Sequence, residues 1–399
     1  MPQYRITLAD PVPHIHESEL RSRVFFVSEL IEEFTLLGDG NVVDGIDVRT
    51  REPADPAELE RKLHQMIKND VLALYPNPAR VTWRSPSERT VLTGVYEHMV
   101  ERGIAYELGE GQIAVGEEFC QVMGFFDRSV RAMVAEEFGA REYRYPTLIP
   151  LDTLRRCGYL ASFPQHLMFV TRLHSDMDTY QEFLEDVSAG RLDRRALYER
   201  CGNLDYALPP TMCYHTFSQF AEKPTANRVI TSRGKSFRFE SRYRQSLERL
   251  WDFTIRETVF LGTQDYVVDA RSRFIGRIFE LLEGLDLAGH CEVANDPFFG
   301  RQDTGARITS QRMLELKYEL RLPVAADRTI AVGSFNLHGQ IFSKAFGISH
   351  ADGAQAYTGC TGIGLERLTY AFLCQYGLDS AQWPDAVRRA EPISAVGIG

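Results

Sequence analysis

Between Ser236 and Phe260 the chain reads SFRFESRYRQSLERLWDFTIRETVF, and about a hundred residues later Gly359 to Leu368 reads GCTGIGLERL. The first segment holds an Arg-x-Glu pair at Arg238 and Glu240, a basic loop over Ser241 to Glu248, an aromatic at Phe253 and a second glutamate at Glu257. The second is a glycine-spaced turn entering a helix that presents Arg367. Taken singly, each fragment fits the solvated charges of an ordinary hairpin. Taken in this order and at this separation, they form one constellation. Arginine's rigid, permanently charged fork grips phosphate and carboxylate at two points, which lysine does not reproduce.

A second pattern overlaps the first. Cys213 lies 44 residues before Glu257, which lies 103 before Cys360. Two thiolates and a carboxylate leave one position open on a tetrahedral zinc, the arrangement of catalytic rather than structural sites. No local CxxC or HxxxH spacing supports a metal, and two ordinary buried cysteines fit the same spacing. Placement favours the metal, because Glu257 closes the first segment and Cys360 just precedes Arg367.

These segments resemble motifs 2 and 3 of the class II aminoacyl-tRNA synthetases. With the Cys–Glu–Cys set they are similar to two related groups, the zinc-dependent seryl-tRNA synthetases of methanogenic archaea and the bacterial amino acid:carrier-protein ligases. The likeness runs over roughly residues 103 to 380. Within it, Glu142 to His166 looks like motif 1 and its sequel, with Pro146 at a dimer interface. NDPFFGR from Asn295 and GSFNLH from Gly333 look like substrate-side and nucleotide-side strands.

The resemblance implies an α/β (α+β) fold with a class II synthetase-type antiparallel sheet flanked by helices. Residues 103–399 would form the catalytic domain, and residues 1–102 a small N-terminal α/β domain. It implies that Arg238 and Arg367 are catalytic, holding phosphates and the substrate carboxylate. ATP would also meet Glu240 at the adenine amino group, Phe253 by stacking, Arg249 near the outer phosphates, and Leu250 and Ser334. Substrate contacts would come from Glu257, Asn295 and Asn336, and Cys213, Glu257 and Cys360 would bind Zn2+. Magnesium would accompany ATP, but Ala331 stands where many class II synthetases place an acid three residues before the serine aligned with Ser334, so no magnesium ligand is assigned.

Charge and composition bear on the partner. The formal net charge is −10, and neither a long heptad hairpin nor a basic N-terminal face accompanies the catalytic motifs. The expected acceptor is therefore a phosphopantetheinylated carrier protein rather than tRNA. Seven scattered cysteines suit a reducing compartment. With no signal segment or membrane-length apolar run, the chain is expected in the cytoplasm.

Local patterns predict the remaining elements. Residues 19 to 37 read as a helix, or a strand followed by a helix; Asn41 to Arg51 as a strand; Pro56 to Leu74 as a helix, ended by the PNP around Asn77. Arg80 to Trp83 reads as a strand, and Ser87 to Arg102 as a serine-capped helix stopped at Gly103. His174 to Asn203 reads as an acidic helical insertion. Asp303 to Arg321 reads as a helix whose Arg307, Arg312 and Lys317 would meet a carrier protein.

Overall fold

A computed structural model of the chain describes residues 1–72, 80–240, 246–296, 307, 310–311 and 313–391. Its N-terminal part is a three-stranded antiparallel sheet: β1 (Gln3–Pro13), β2 (Ile31–Gly38) and β3 (Val42–Thr50), in the order β1-β3-β2. Inward residues Ile6, Leu8, Ile46 and Val48 alternate along these strands and pack on Leu59, Leu63 and Met66 of helix α1 (Pro56–Met66). Asp55 caps that helix by accepting from the Ala57 amide, with Pro56 at the first helical position. Residues 19 to 37 differ from expectation: a helix over Glu17–Val24 comes first and the strand follows it. Phe34 and Leu36 share a face only at period two, and that packing decides the segment.

Eight strands make the large sheet: β4 (Val81–Arg84), β5 (Arg141–Tyr143), β6 (Arg228–Phe237), β7 (Asp252–Gly262), β8 (His290–Val293), β9 (Lys317–Ala325), β10 (Arg328–Gly339) and β11 (Tyr357–Gly364). Their order is β4-β8-β9-β10-β11-β7-β6-β5. All neighbours are antiparallel except the edge pair of β5 with β6. Strand β4 thus belongs to the large sheet, and Val95 and Met99 sit in its core. The small core ends at Leu72, and residues 81–102, expected with the N-terminal domain, pack with the large body.

Behind the sheet lie α2 (Glu117–Phe138), α4 (Gln264–Gly284) and α5 (Leu365–Tyr376). In α2, Phe119, Val122, Met123, Phe126, Val130, Met133 and Val134 recur at helical spacing and are buried. Glu117 and Glu118 favour its N-terminus electrostatically, and Gly139 closes it at φ 58°, a left-handed turn that glycine adopts without strain. In front lies the short helix α3 (Cys213–Gln219), preceded in the chain by a helical insertion. That insertion contains helices Met177–Ser188 and Arg194–Arg200, as expected, and neither buries a residue.

Three further expectations change. GCTGIG is a strand, β11, not a turn, and the helix follows without a break. Only Val95–Glu101 of the expected Ser87–Arg102 helix is helical; Ser87 instead donates to the Asp286 carbonyl. Lys317 opens strand β9 rather than sharing a helix face with Arg307, because the segment pairs with β8 and β10 and buries Leu320, Leu322 and Val324 at period two. Arg307 donates to Ser162 Oγ. Arg312, residues 297–301 of NDPFFGR, residues 241–245 of the basic loop and Asn77 lie outside the described residues. Among the described residues no helix is long and apolar enough to cross a membrane.

Candidate active site

The register of the sheet assembles the site. Glu319, Ser334, Gly362 and Glu257 stand opposite one another across β9, β10, β11 and β7, so they form one row. Lys317, Asn336 and Cys360 form a second row beside it. Side chains on alternate positions share a face, so Glu257 looks forward while Arg256 looks back towards α2. The small residues Gly362 and Ser334 keep the floor between the two glutamates low. A Cβ at Gly362 would already come 3.5 Å from Glu257 Oε2.

Cys213, at the start of α3, drops onto this face from the front. Ligand atoms of Cys213, Glu257 and Cys360 lie within 4.8 Å of one another, and all three residues are buried. Thr211 Oγ1 donates to Glu257 Oε2 at 2.9 Å, and Asn336 Nδ2 points at Cys360 Sγ at 3.6 Å. His338 Nε2 lies 3.5 Å from the same sulfur, its Nδ1 3.2 Å from Thr358 Oγ1. Burial pushes the Glu257 carboxyl up to about 7, and the Cys213 neighbour together with burial raises the Cys360 thiol well above its ordinary range. Three donors packed this closely, each anionic once it binds a metal, suit a divalent, thiophilic cation, and two sulfurs with one oxygen match zinc.

One cavity contains this triangle together with Arg238, Glu240, Phe253, Ser334, Asn336 and Arg367. Arg238 Nε donates to the Pro210 carbonyl at 3.1 Å, and its guanidinium lies 5.5 Å from the Phe253 ring centre. Arg367, on the first turn of α5, donates to the Ala331 carbonyl at 3.3 Å. Burial, aided by the nearby Arg249 charge, brings the Arg367 guanidinium down to about 10, so it is still charged at neutral pH. Burial favours protonation of Glu240, but Arg249, 3.0 Å from its Oε2, leads the cations that hold it below the usual range. The cavity thus brings the guanidinium groups of Arg238 and Arg367 together with the Cys–Glu–Cys triangle in one slot.

Three expected site residues sit differently. Arg249 is outside the cavity lining and reaches it through Glu240. Leu250 is packed in the core behind the sheet, and Asn295 bonds to the Asp296 carbonyl while Asp296 itself faces the cavity. Several cavity residues were given no place in the site from sequence: His166 and Asp296, which lie within segments the resemblance covers, Lys317, expected at a carrier-protein contact, and Glu319. Lys317 Nζ bridges Asp296 Oδ1 at 2.9 Å and Glu319 Oε1 at 3.2 Å. Burial opposes its charge, yet Asp296 and Glu319 together raise its pKa. Glu319 is the acid across from Ser334, one strand away from the empty acidic position at Ala331. Only its forward-facing place in β9 marks it, and that depends on register.

His166 is the fourth. Burial pushes its imidazole down to about 4 from 6.5. The unfolded chain therefore binds more protons between those values, and stability is lost as pH falls from about 6.5 towards 4. Urea unfolding across that range is expected to show a smaller acid loss in His166→Gln than in the wild type. The difference is at most on the order of 3 kcal/mol, from 1.36 kcal/mol per pKa unit.

An antiparallel sheet with an arginine from the β6–β7 hairpin, a second from the helix after β11, and the slot between them defines the class II synthetase fold. The M. kandleri SerRS, solved in complex with A. aeolicus tRNASec, shares it at a TM-score of 0.68 and 21% identity, covering 97% of this chain and 77% of that one. No family model matches the chain. Amino acid--[acyl-carrier-protein] ligase 2 of Bradyrhizobium diazoefficiens is 36% identical over 251 residues, 61% of this chain and 72% of that protein. The type-2 serine--tRNA ligase of Methanococcus aeolicus is 28% identical over 290 residues, 70% of this chain and 55% of its own length, so the chain spans about half of that relative. The chain belongs to the class II synthetase-like family of amino acid--[acyl-carrier-protein] ligases, which is related to the type-2 serine--tRNA ligases.

Proposed function

We propose that the chain is an ATP-dependent ligase that activates a small amino acid as its adenylate and passes the aminoacyl group to the phosphopantetheine thiol of a carrier protein. The observation that carries this reading is the buried Cys213–Glu257–Cys360 triangle opening on the same slot as Arg238 and Arg367. Zinc bound there would supply a Lewis-acid position for the substrate's α-amine. The chain's own residues position and neutralise. Arg238 pairs with the substrate carboxylate and α-phosphate, Arg367 covers the other side of the nucleotide, Glu240 takes the adenine amino group and Phe253 stacks on the base, with magnesium accompanying the phosphates. The carboxylate oxygen bonds to the α-phosphorus as pyrophosphate leaves. The thiol sulfur then bonds to the adenylate carbonyl, AMP leaves, and the thiol proton passes to solvent. Tyr214, His338 and Phe342 line the slot near the triangle, which supports a small side chain.

The same reading makes the protein a cytoplasmic homodimer. Support comes from β5, which ends the sheet as an edge, and from seven free cysteines. One observation favours transfer to tRNA instead. The likeness to the tRNA-bound structure covers 97% of the chain, which takes in the N-terminal sheet. Against it, residues 1–102 hold 12 basic and 17 acidic side chains, a poor match for an RNA backbone.

The test is amino-acid-dependent ATP–pyrophosphate exchange over an amino-acid panel, followed by transfer to phosphopantetheinylated carrier protein or bulk tRNA. Exchange with one small amino acid and transfer to the carrier alone is expected; transfer to tRNA alone would overturn the carrier assignment. Within that assay Arg238→Lys is expected to lower exchange on the order of a hundredfold, since a point charge loses the two-point grip on the developing anion. An unchanged rate would remove Arg238 from the chemistry.

A further inference from the structure

We propose that His338 is a positioning residue for the metal, its Nε2–H donating to the Cys360 thiolate once zinc is bound. This rests on the reading above that zinc occupies the Cys213–Glu257–Cys360 triangle. Two thiolates and a carboxylate bring three negative charges against the two positive charges of zinc, and all three ligand residues are buried. One charge is therefore left over where water cannot spread it, and hydrogen-bond donors aimed at the ligands have to meet it. Thr211 commits its single hydroxyl hydrogen to Glu257 at 2.9 Å. Asn336 Nδ2, 3.6 Å from Cys360 Sγ, is shared with Ser334 Oγ at 3.3 Å. His338 Nε2 is nearer the sulfur, at 3.5 Å.

The sheet aims His338 there through an irregularity. Leu337 of β10 stands opposite Gly359 and Gly339 opposite Thr358, so His338 is an extra residue between two paired ones. Such a bulge turns a side chain out of the strict alternation, and Gly339 supports it at φ 57°, left-handed backbone that glycine adopts without strain. The ring is held edge-on by Phe342 at 4.7 Å and Phe217 at 5.7 Å. Its Nδ1 lies 3.2 Å from Thr358 Oγ1. Without metal, either the thiol or the ring can hold the hydrogen between Cys360 and Nε2. A metal-bound thiolate only accepts, so that hydrogen then sits on Nε2, and Nδ1 of the neutral ring takes one from the Thr358 hydroxyl. Thr358 and His338 thus form a chain of donors that ends on the ligand sulfur.

The experiment measures zinc affinity of the full chain by competition with a chromogenic chelator, together with the absorption spectrum of the cobalt-loaded protein; neither needs ATP or amino acid. His338→Phe keeps the aromatic packing and removes the donor. It is expected to lose about 10–100-fold in zinc affinity, and its thiolate-to-cobalt charge-transfer band is expected at lower energy, since a thiolate without its hydrogen bond gives up an electron more readily. His338→Gln, whose amide can present a hydrogen near the place of Nε2, is expected to recover most of both. Thr358→Val frees Nδ1 and is expected to fall between them, an independent reading should the phenylalanine variant not fold. A His338 that only packs would give the reverse order, with the phenylalanine variant resembling the wild type and the glutamine variant weaker. That order, or an unmoved charge-transfer band in His338→Phe, overturns the proposal. A wild type that binds no zinc would sink the metal reading and the proposal together. Zinc that responds as expected in a protein showing no pyrophosphate exchange would uphold the proposal and sink the adenylation reading instead.

Discussion

Cys360→Ala is expected to yield a folded protein that carries no stoichiometric zinc and has lost amino-acid-dependent pyrophosphate exchange while still binding ATP. The sulfur lies in a triangle of donors that draw together only because β7 and β11 are neighbours in register. Removing it leaves Cys213 and Glu257, one thiolate and one carboxylate, too few to hold zinc at a three-ligand site. Groups that merely orient a ligand cost about 10–100-fold when mutated, so loss of the ligand itself is expected to exceed about a hundredfold. ATP binding should persist, because Arg238, Glu240, Phe253 and Arg367, the residues assigned to the nucleotide, are not members of the Cys–Glu–Cys triangle. Cys374→Ala is the control, a cysteine buried in the core behind the sheet. Metal analysis of both purified variants, with exchange measured in parallel, decides the matter. Zinc and activity retained in Cys360→Ala would end the metal assignment.

What the sequence could and could not disclose follows from the kind of contact involved. Arg238, Glu240 and Phe253 are close in the chain, so a local hairpin is enough to bring them together, and their pattern was legible. The triangle spans separations of 44 and 103 residues. Spacing alone left it ambiguous, and the family resemblance chose the metal. The reason it closes is a register fact: Glu257 opposes Gly362, placing Cys360 one step along the same face. Lys317 and Glu319 were misplaced because KYELRL lies at the end of a run with helical spacing, and only pairing with β10 turns it into a strand. The same holds for β4. Its four residues carry no signal of which sheet they join, and their partner β8 lies some two hundred residues away.

Replacing Arg256 with alanine is expected to destabilise the fold by about 3–5 kcal/mol, the cost of breaking a buried ion pair from one side. Arg256 is 2% exposed. Its Nε donates to Asp127 Oδ1 at 2.7 Å and its Nη1 to Glu142 Oε1 at 2.7 Å. Asp127 belongs to α2 and Glu142 to edge strand β5, so one guanidinium ties a helix and a strand to β7, one residue before Glu257. Without it Asp127, 4% exposed, keeps Arg233 at 3.1 Å as its one charged partner among the described residues, whereas Glu142 retains the more exposed Arg131. The stranded carboxylate of Asp127, not the lost attraction, supplies most of the penalty. Arg256→Met combined with Asp127→Leu is therefore expected to recover much of it, since a packed apolar pair replaces a buried ion pair at little net cost. Urea unfolding of the single and double variants separates the two contributions. A loss below about 1 kcal/mol in Arg256→Ala, the range of an exposed pair, would mean that water reaches Asp127 and that the network is not sealed behind the sheet.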